Sequence, residues 1–180
     1  MTDTLTATNL LDALKEQSEI LRQLNAPPGA WIGFEFVARY GRNYEPRALP
    51  TRFAYRTPKR CFDNAYRLVS KAKGLRYVEG YIALKALYMV PVHHAWAIDS
   101  KDRVIDPTIR EPLGWEYCGV PIDLVEVALH RRPDGLGVFE SGAGMNLEYF
   151  HSADPSLGSL LPEAVVEHLR SRYRAKNNRA

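Results

Sequence analysis

Apolar side chains recur near helical spacing through residues 9–24, where Leu10, Leu14, Leu21 and Leu24 are flanked by Leu11 and Ile20 and alternate with Lys15, Glu16, Gln17 and Arg22. That pattern predicts an amphipathic helix docked on the body by one stripe. The run "NAPPGA" ends it, because paired prolines and a glycine do not continue a helix. "WIGFEFVARY" is rich in aromatic and branched residues and predicts a strand, followed by a Pro-containing polar loop from Gly41 to Arg52.

Thr57 and Pro58 then read as a capping hydroxyl and a first-turn proline. Phe62, Ala65, Tyr66 and Val69 fall at i, i+3, i+4 and i+7, so residues 58–73 are expected to form a helix with one buried face, stopped by Gly74. Strands are predicted over Arg76–Leu84, Val92–Asp99 and Arg103–Asp106. "PIDLVEVALHRR" is expected to hold a short helix, "RPDGLGVFESGAGMN" a Gly-rich connection, and "LPEAVVEHLRSRY" a terminal helix opened by Pro162. A helix followed by consecutive strands, without internal repeats, indicates an α+β arrangement.

Composition narrows this further. At 180 residues and 46% hydrophobic the chain suits one core rather than two, giving a docked helix over 1–26, one domain over 27–169 and a basic tail over 170–180. Five of the 24 basic residues, Arg170, Arg172, Arg174, Lys176 and Arg179, lie in that tail; the remaining 19 face 21 acidic ones, so the body is slightly acidic. The tail is read first as a solvated terminus and second as a contact for an acidic partner or nucleic acid. The opening residues lack a secretory pattern, and "YIALKALYMV" is broken by Lys85 and too short for a membrane span. The expectation is a cytoplasmic protein without a membrane partner, its Cys61 and Cys118 reduced.

Cys61 is the residue with the clearest chemical potential. It stands near a helix start, where the dipole and the cations of Lys59 and Arg60 favour thiolate over thiol. In an alternating strand His94, Trp96 and Ile98 share one face and His93, Ala95 and Ala97 the other, so only one of the two histidines is expected to meet the Cys61 helix. The order "CFDNAYRLV", "YVEGY", "HAW", "VIDPT" resembles the transglutaminase-like branch of the papain-like cysteine enzyme superfamily, with "YCGVP" a weaker part of the likeness. The resemblance implies a nucleophile helix packed on an antiparallel sheet. It casts Cys61 as nucleophile, His94 as general base and acid, and Asp106 as the group that orients the imidazole; His94 is then expected to be essential and His93, on the opposite face, replaceable. It implies acyl chemistry on a peptide or small amide through a thioester, hydrolysis being favoured over transfer, with no cofactor. Trp96, Trp31 and Tyr55 are candidate substrate contacts, the last two also candidate second donors to an oxyanion. A catalytically silent binding or adaptor module is the competing reading.

Other chemistries fit less well. Neighbouring strand histidines diverge and no CxxC or HxxxH spacing is present, so no metal site is expected. Gly135, Gly137, Gly142 and Gly144 do not lie between a strand and a helix, as a phosphate cradle requires, and read as a flap or turn. Which acid serves the imidazole depends on hairpin parity. Asp99 lies an odd number of positions from His94 and is poorly aimed. Asp106 shares the His94 face only if an odd loop or a bulge joins the two strands, for example a loop of Lys101–Arg103 with residue 98 opposite 106; an even loop puts it with His93. The pattern leaves both registers open, and the resemblance favours the odd one.

Overall fold

The structure, a computed structural model, describes residues 7–85, 87, 90–130, 137–141, 144–161 and 163–167. It is a mixed α+β arrangement built around a five-stranded antiparallel sheet. Two helices come first, α1 (Leu10–Gln23) and α2 (Pro28–Tyr40), followed by β1 (Arg42–Tyr44) and α3 (Cys61–Lys71). The strands β2 (Arg76–Leu84), β3 (Val92–Ile98), β4 (Val104–Ile105) and β5 (Trp115–Ile122) complete the sheet in the order β1-β5-β2-β3-β4. Then come α4 (Leu124–His130), a small hairpin of β6 (Glu140–Ser141) and β7 (Gly144–Met145), and α5 (Leu147–Ala153). Residues 163–167 are helical, within the segment predicted as a terminal helix; Pro162 and the basic tail lie outside the described residues.

The segment predicted as the first strand is a helix. Trp31, Ile32, Gly33, Phe36 and Val37 are its buried residues, a helical spacing. As a strand the same segment would place Glu35 on one face with Trp31 and Val37. As a helix it lets Glu35 pair with Ser18 and Arg39 instead, at 2.8 and 2.6 Å. The prolines that end α1 also open α2, because a proline in the first turn loses no helical hydrogen bond. Burial thus overrides the strand preference of its aromatic and branched residues. The predicted loop from Gly41 to Arg52 contains β1, and β5, α5 and the β6–β7 hairpin were not anticipated.

The sheet has two different faces. Against one lie the helices: Leu10 and Leu14 of α1, Ile32 and Phe36 of α2 and Ala65 of α3 share a core with Tyr77, Tyr81, Ala95 and Cys118. Leu68 of α3 packs with Ala97 and Ile105. The opposite face carries a cluster drawn from strands, Tyr44, Val78, Ile82, Trp96, Ile98, Val104 and Tyr117. A bridge between Glu45, just after β1, and Arg103, just before β4, joins the two edges, so the sheet folds back on itself around this second cluster. That closure buries Trp96 and Tyr117 completely.

Gly119 of β5 makes room inside the closure. A Cβ there would lie 2.7 Å from Trp96 Cη2 and 2.7 Å from the Glu79 carbonyl oxygen, neither able to retreat. Gly119→Ala is therefore expected to lower unfolding stability by about 1–3 kcal/mol, overpacking outweighing the small gain from a stiffer unfolded chain. Urea denaturation followed by tryptophan fluorescence measures it; an unchanged midpoint would mean the closure has slack.

Candidate active site

Cys61 is the first residue of α3, three positions later than the predicted helix start. Lys59 takes a left-handed φ of 61° and Arg60 is the cap, without a side-chain cap hydrogen bond. The Thr57–Pro58 opening fails because that segment is used elsewhere. The Arg56 N–H donates to the Pro107 carbonyl at 2.8 Å, and Asn64 Nδ2 donates to the Thr57 carbonyl at 2.8 Å and to Thr108 Oγ1 at 3.1 Å. Asn64 thereby ties the helix bearing Cys61 to the loop bearing Asp106.

The β3–β4 connection has the odd parity. Ile98 pairs with Val104 and Ala97 with Ile105, so three residues, Ser100–Asp102, form the turn. The partner of Ile98 lies two residues from the expected 106, a shift that keeps the parity and places Asp106 beyond the ladder in line with Trp96, on the His94 face. Asp99 is turned away from the imidazole: its carboxylate accepts from the Lys101 and Arg103 N–H groups and from the Arg103 guanidinium. Burial opposes ionisation there, but these donors hold its pKa down at about 2.

Asp106 is 1% exposed and its carboxylate accepts four hydrogen bonds. Oδ2 takes His94 Nε2–H at 2.8 Å and Tyr117 O–H at 3.0 Å; Oδ1 takes the N–H groups of Thr108 and Ile109 at 2.7 and 3.2 Å. Burial raises the Tyr117 pKa, and the Asp106 charge adds to that, so the phenol stays a donor. With Nε2 committed to Asp106, the other ring nitrogen of His94 is left for Cys61, whose sulfur is near enough to the ring to help raise its pKa. Burial alone would lower the His94 pKa, yet the Asp106 charge and hydrogen bond, with the Cys61 sulfur, bring it up to about 9. Cys61, His94 and Asp106 are thus brought together.

The three aromatic candidates fare differently. Trp96 is fully buried and stacks beneath the His94 ring at 6.2 Å, so it supports the imidazole and cannot touch a substrate. Trp31 is buried between α1 and α2 and its indole N–H is given to the Ala26 carbonyl at 3.2 Å, so it is not a free donor. Tyr55 lies beside the start of α3, but its hydroxyl donates to the Arg110 carbonyl at 3.1 Å. Tyr117 and Asn64 were missed. The parity of β5, once its register is known, places Tyr117 on the His94 face, whereas Asn64 offered only its position one turn after Cys61.

His93 points to the helix side, as alternation requires, and occupies a second buried ion cluster. Its Nε2 is 3.1 Å from Glu79 Oε1 and its Nδ1 3.1 Å from Glu140 Oε1; the ring stacks on Phe139 and touches Phe62 of α3. Glu79 is fully buried and also accepts from Tyr77 O–H and the N–H groups of Val138 and Phe139. Both histidines therefore meet the start of α3, His94 at Cys61 and His93 at Phe62, where only one was expected to. His93, expected to be replaceable, is consequently a buried structural residue that the fold does not readily spare. Gly137 sits against this cluster, where a Cβ would come within 2.7 Å of Phe62 Cδ1. Gly135 and Gly142 lie outside the described residues.

Burial opposes charge on His93 too, but the Glu140 and Glu79 carboxylates bring its pKa up to about 9. Both histidines thus bind protons more tightly in the folded state than at the ordinary value of 6.5. Their support is fully present below pH 6.5 and is lost as pH rises through about 9. Over that window each ring is expected to give a slope of roughly −1.4 kcal/mol per pH unit in unfolding free energy. His93→Gln should remove about half of the combined slope, measured by urea denaturation across the window; an unaltered slope would show that His93 is neutral when folded.

Comparison with protein-family models, with curated proteins and with solved structures found no match to this chain.

Proposed function

We propose that the chain carries out cysteine-dependent acyl chemistry on a peptide or small amide, of the transglutaminase-like kind, with hydrolysis favoured over transfer. The observation that carries this reading is the buried His94 ring hydrogen-bonded to the Asp106 carboxylate, with Cys61 at the start of α3 close enough to act on its charge. In this reading a papain-like core is formed by α3 packed on the sheet. The Cys61 thiolate attacks the carbonyl carbon, and a C–S bond forms as the C–N bond breaks. The imidazolium of His94 gives its proton to the departing amine. Water then attacks the thioester carbon, losing a proton to His94; a C–O bond forms as the C–S bond breaks, the acid leaves, and the Cys61 thiolate and His94 imidazolium are restored. Asp106 holds the ring in the tautomer this requires, and Tyr117 holds Asp106. The Cys61 N–H at the helix start is one donor to the oxyanion. An incoming amine in place of water would give transfer.

A silent binding module is the alternative, and one observation favours it: Cys61 is only 9% exposed and His94 4%. The two readings part on thiol reactivity. Iodoacetamide near neutral pH is expected to modify Cys61 first, because burial pushes the Cys118 thiol up to about 12 and keeps it fully covered. Cys61 labelling slower than free cysteine would favour the silent module.

The acyl reading itself is tested by intact-mass analysis with candidate acyl donors. A thioester adduct is expected on wild type and none on Cys61→Ala. Asp106→Asn is expected to cost orders of magnitude in turnover, as removing the orienting acid does in triads of this type. Asp99→Asn should leave turnover nearly intact and cost only the turn it holds. Equal turnover for Asp106→Asn and wild type would remove the acid from the mechanism.

A further inference from the structure

A cleft of about 480 Å³ runs beside the first two turns of α3, lined by Tyr55, Arg56, Arg60, Asp63, Asn64 and Arg67 among others. It adjoins the candidate nucleophile through the chain itself, since Arg60 immediately precedes Cys61 and Asp63 and Asn64 belong to the same first turn. Its charge is one-sided. Residues 47–67 contain six basic side chains and one acid, Asp63, on a body that is otherwise slightly acidic. Asp63 is buried and paired with Arg60 at 2.8 Å, so that acid is already balanced.

Arg56 and Arg67 differ from most of the other described arginines. Arg22, Arg39, Arg42, Arg47, Arg76 and Arg103 each pair with a carboxylate. Among the described residues, the guanidinium groups of Arg56 and Arg67 make no ion pair or hydrogen bond with the chain. Arg110 adds a further cation beside a lining residue, 5.3 Å from the Tyr55 ring centroid. Like charges gathered in one cleft repel each other, and an anion relieves that repulsion. Guanidinium groups suit a carboxylate in particular, because the planar fork matches its two oxygens.

We propose that this cleft is the specificity subsite for an acidic substrate: a peptide or acyl donor with a carboxylate near its reacting carbonyl, the carboxylate held by Arg56 and Arg67 while the carbonyl reaches Cys61. The assignment rests on the reading of Cys61 as nucleophile, and two measurements separate the two ideas. The first needs no turnover. Alkylation of Cys61 by iodoacetate, an anion, and by iodoacetamide, its neutral analogue, is followed by intact mass in wild type and in the Arg56→Gln/Arg67→Gln double variant, with circular dichroism confirming the fold. The iodoacetate-to-iodoacetamide rate ratio is expected to fall on the order of tenfold in the double variant at low salt, the low end for a cleft lined by one sign of charge. The second compares quenched fluorescent peptides that differ only in Glu against Gln beside the scissile bond. Wild type is expected to prefer the Glu peptides in kcat/KM, and the double variant to lose the preference.

If neither peptide is turned over while the alkylation ratio still falls, the acyl chemistry fails and the anion subsite stands. An unchanged ratio, or equal use of Glu and Gln peptides by wild type, overturns the subsite. Protection of Cys61 from iodoacetamide by an RNA oligonucleotide but not by polyglutamate would also overturn it, in favour of a nucleic-acid site.

Discussion

A carboxylate sealed from water must have its lone pairs met by donors, and the way Asp106 meets this demand organises one end of the molecule. Its four donors come from three places: His94 on β3, Tyr117 on β5, and the backbone of its own turn at Thr108 and Ile109. Removing any of them would leave a buried charge partly unsatisfied, so the positions of two strands and a loop are coupled through one side chain. Asn64 extends the coupling to α3 by holding Thr108 and Thr57 together. The loop bearing Asp106 thus helps align the thiol with the imidazole, alongside the packing of α3 on β3.

The opposite face of β3 solves a similar problem differently. Glu79 and His93 are buried among aromatic rings, and their partners include the Val138 and Phe139 N–H groups. Buried ion clusters of this kind are weak evidence for net stability, because desolvation offsets most of the attraction. What they impose is position: the 137–141 segment has two N–H groups that can be satisfied only against Glu79. Adjacent histidines therefore hold different parts of the structure, His94 the site and His93 the segment that covers Phe62.

What was legible in the sequence follows from what local pattern encodes. β2 and β3 could be read because alternation and turn residues bound them on both sides, and α1 because its apolar stripe is undiluted by strand-forming residues. The odd loop, and with it the meeting of His94 and Asp106, came from parity joined to a resemblance, since pattern alone left both registers open. The α2 segment misled because its aromatic and branched residues favour strands, while the decisive fact, burial against α1, is tertiary. The true start of α3 was hidden because Thr57 gives its carbonyl to Asn64 across a turn instead of capping the helix. Trp96 was misjudged because a strand residue beside a catalytic candidate looks accessible until the sheet is known to close over it.

That closure also explains why so short a turn matters. Asp102 takes a left-handed φ of 59°, and Asp99 accepts two N–H groups and the Arg103 guanidinium within the turn. The turn is held at three residues by a carboxylate that never approaches the imidazole. Since side chains in a strand alternate by one residue, one more or one fewer residue would carry Asp106 to the other face of the sheet, beside His93 and Glu79. There it would add a third carboxylate to a cluster that already holds two, and His94 would be left inside the closure without an acid. Which acid meets the His94 ring is therefore set by Asp99 through geometry, although the Asp99 carboxylate itself is committed to the turn.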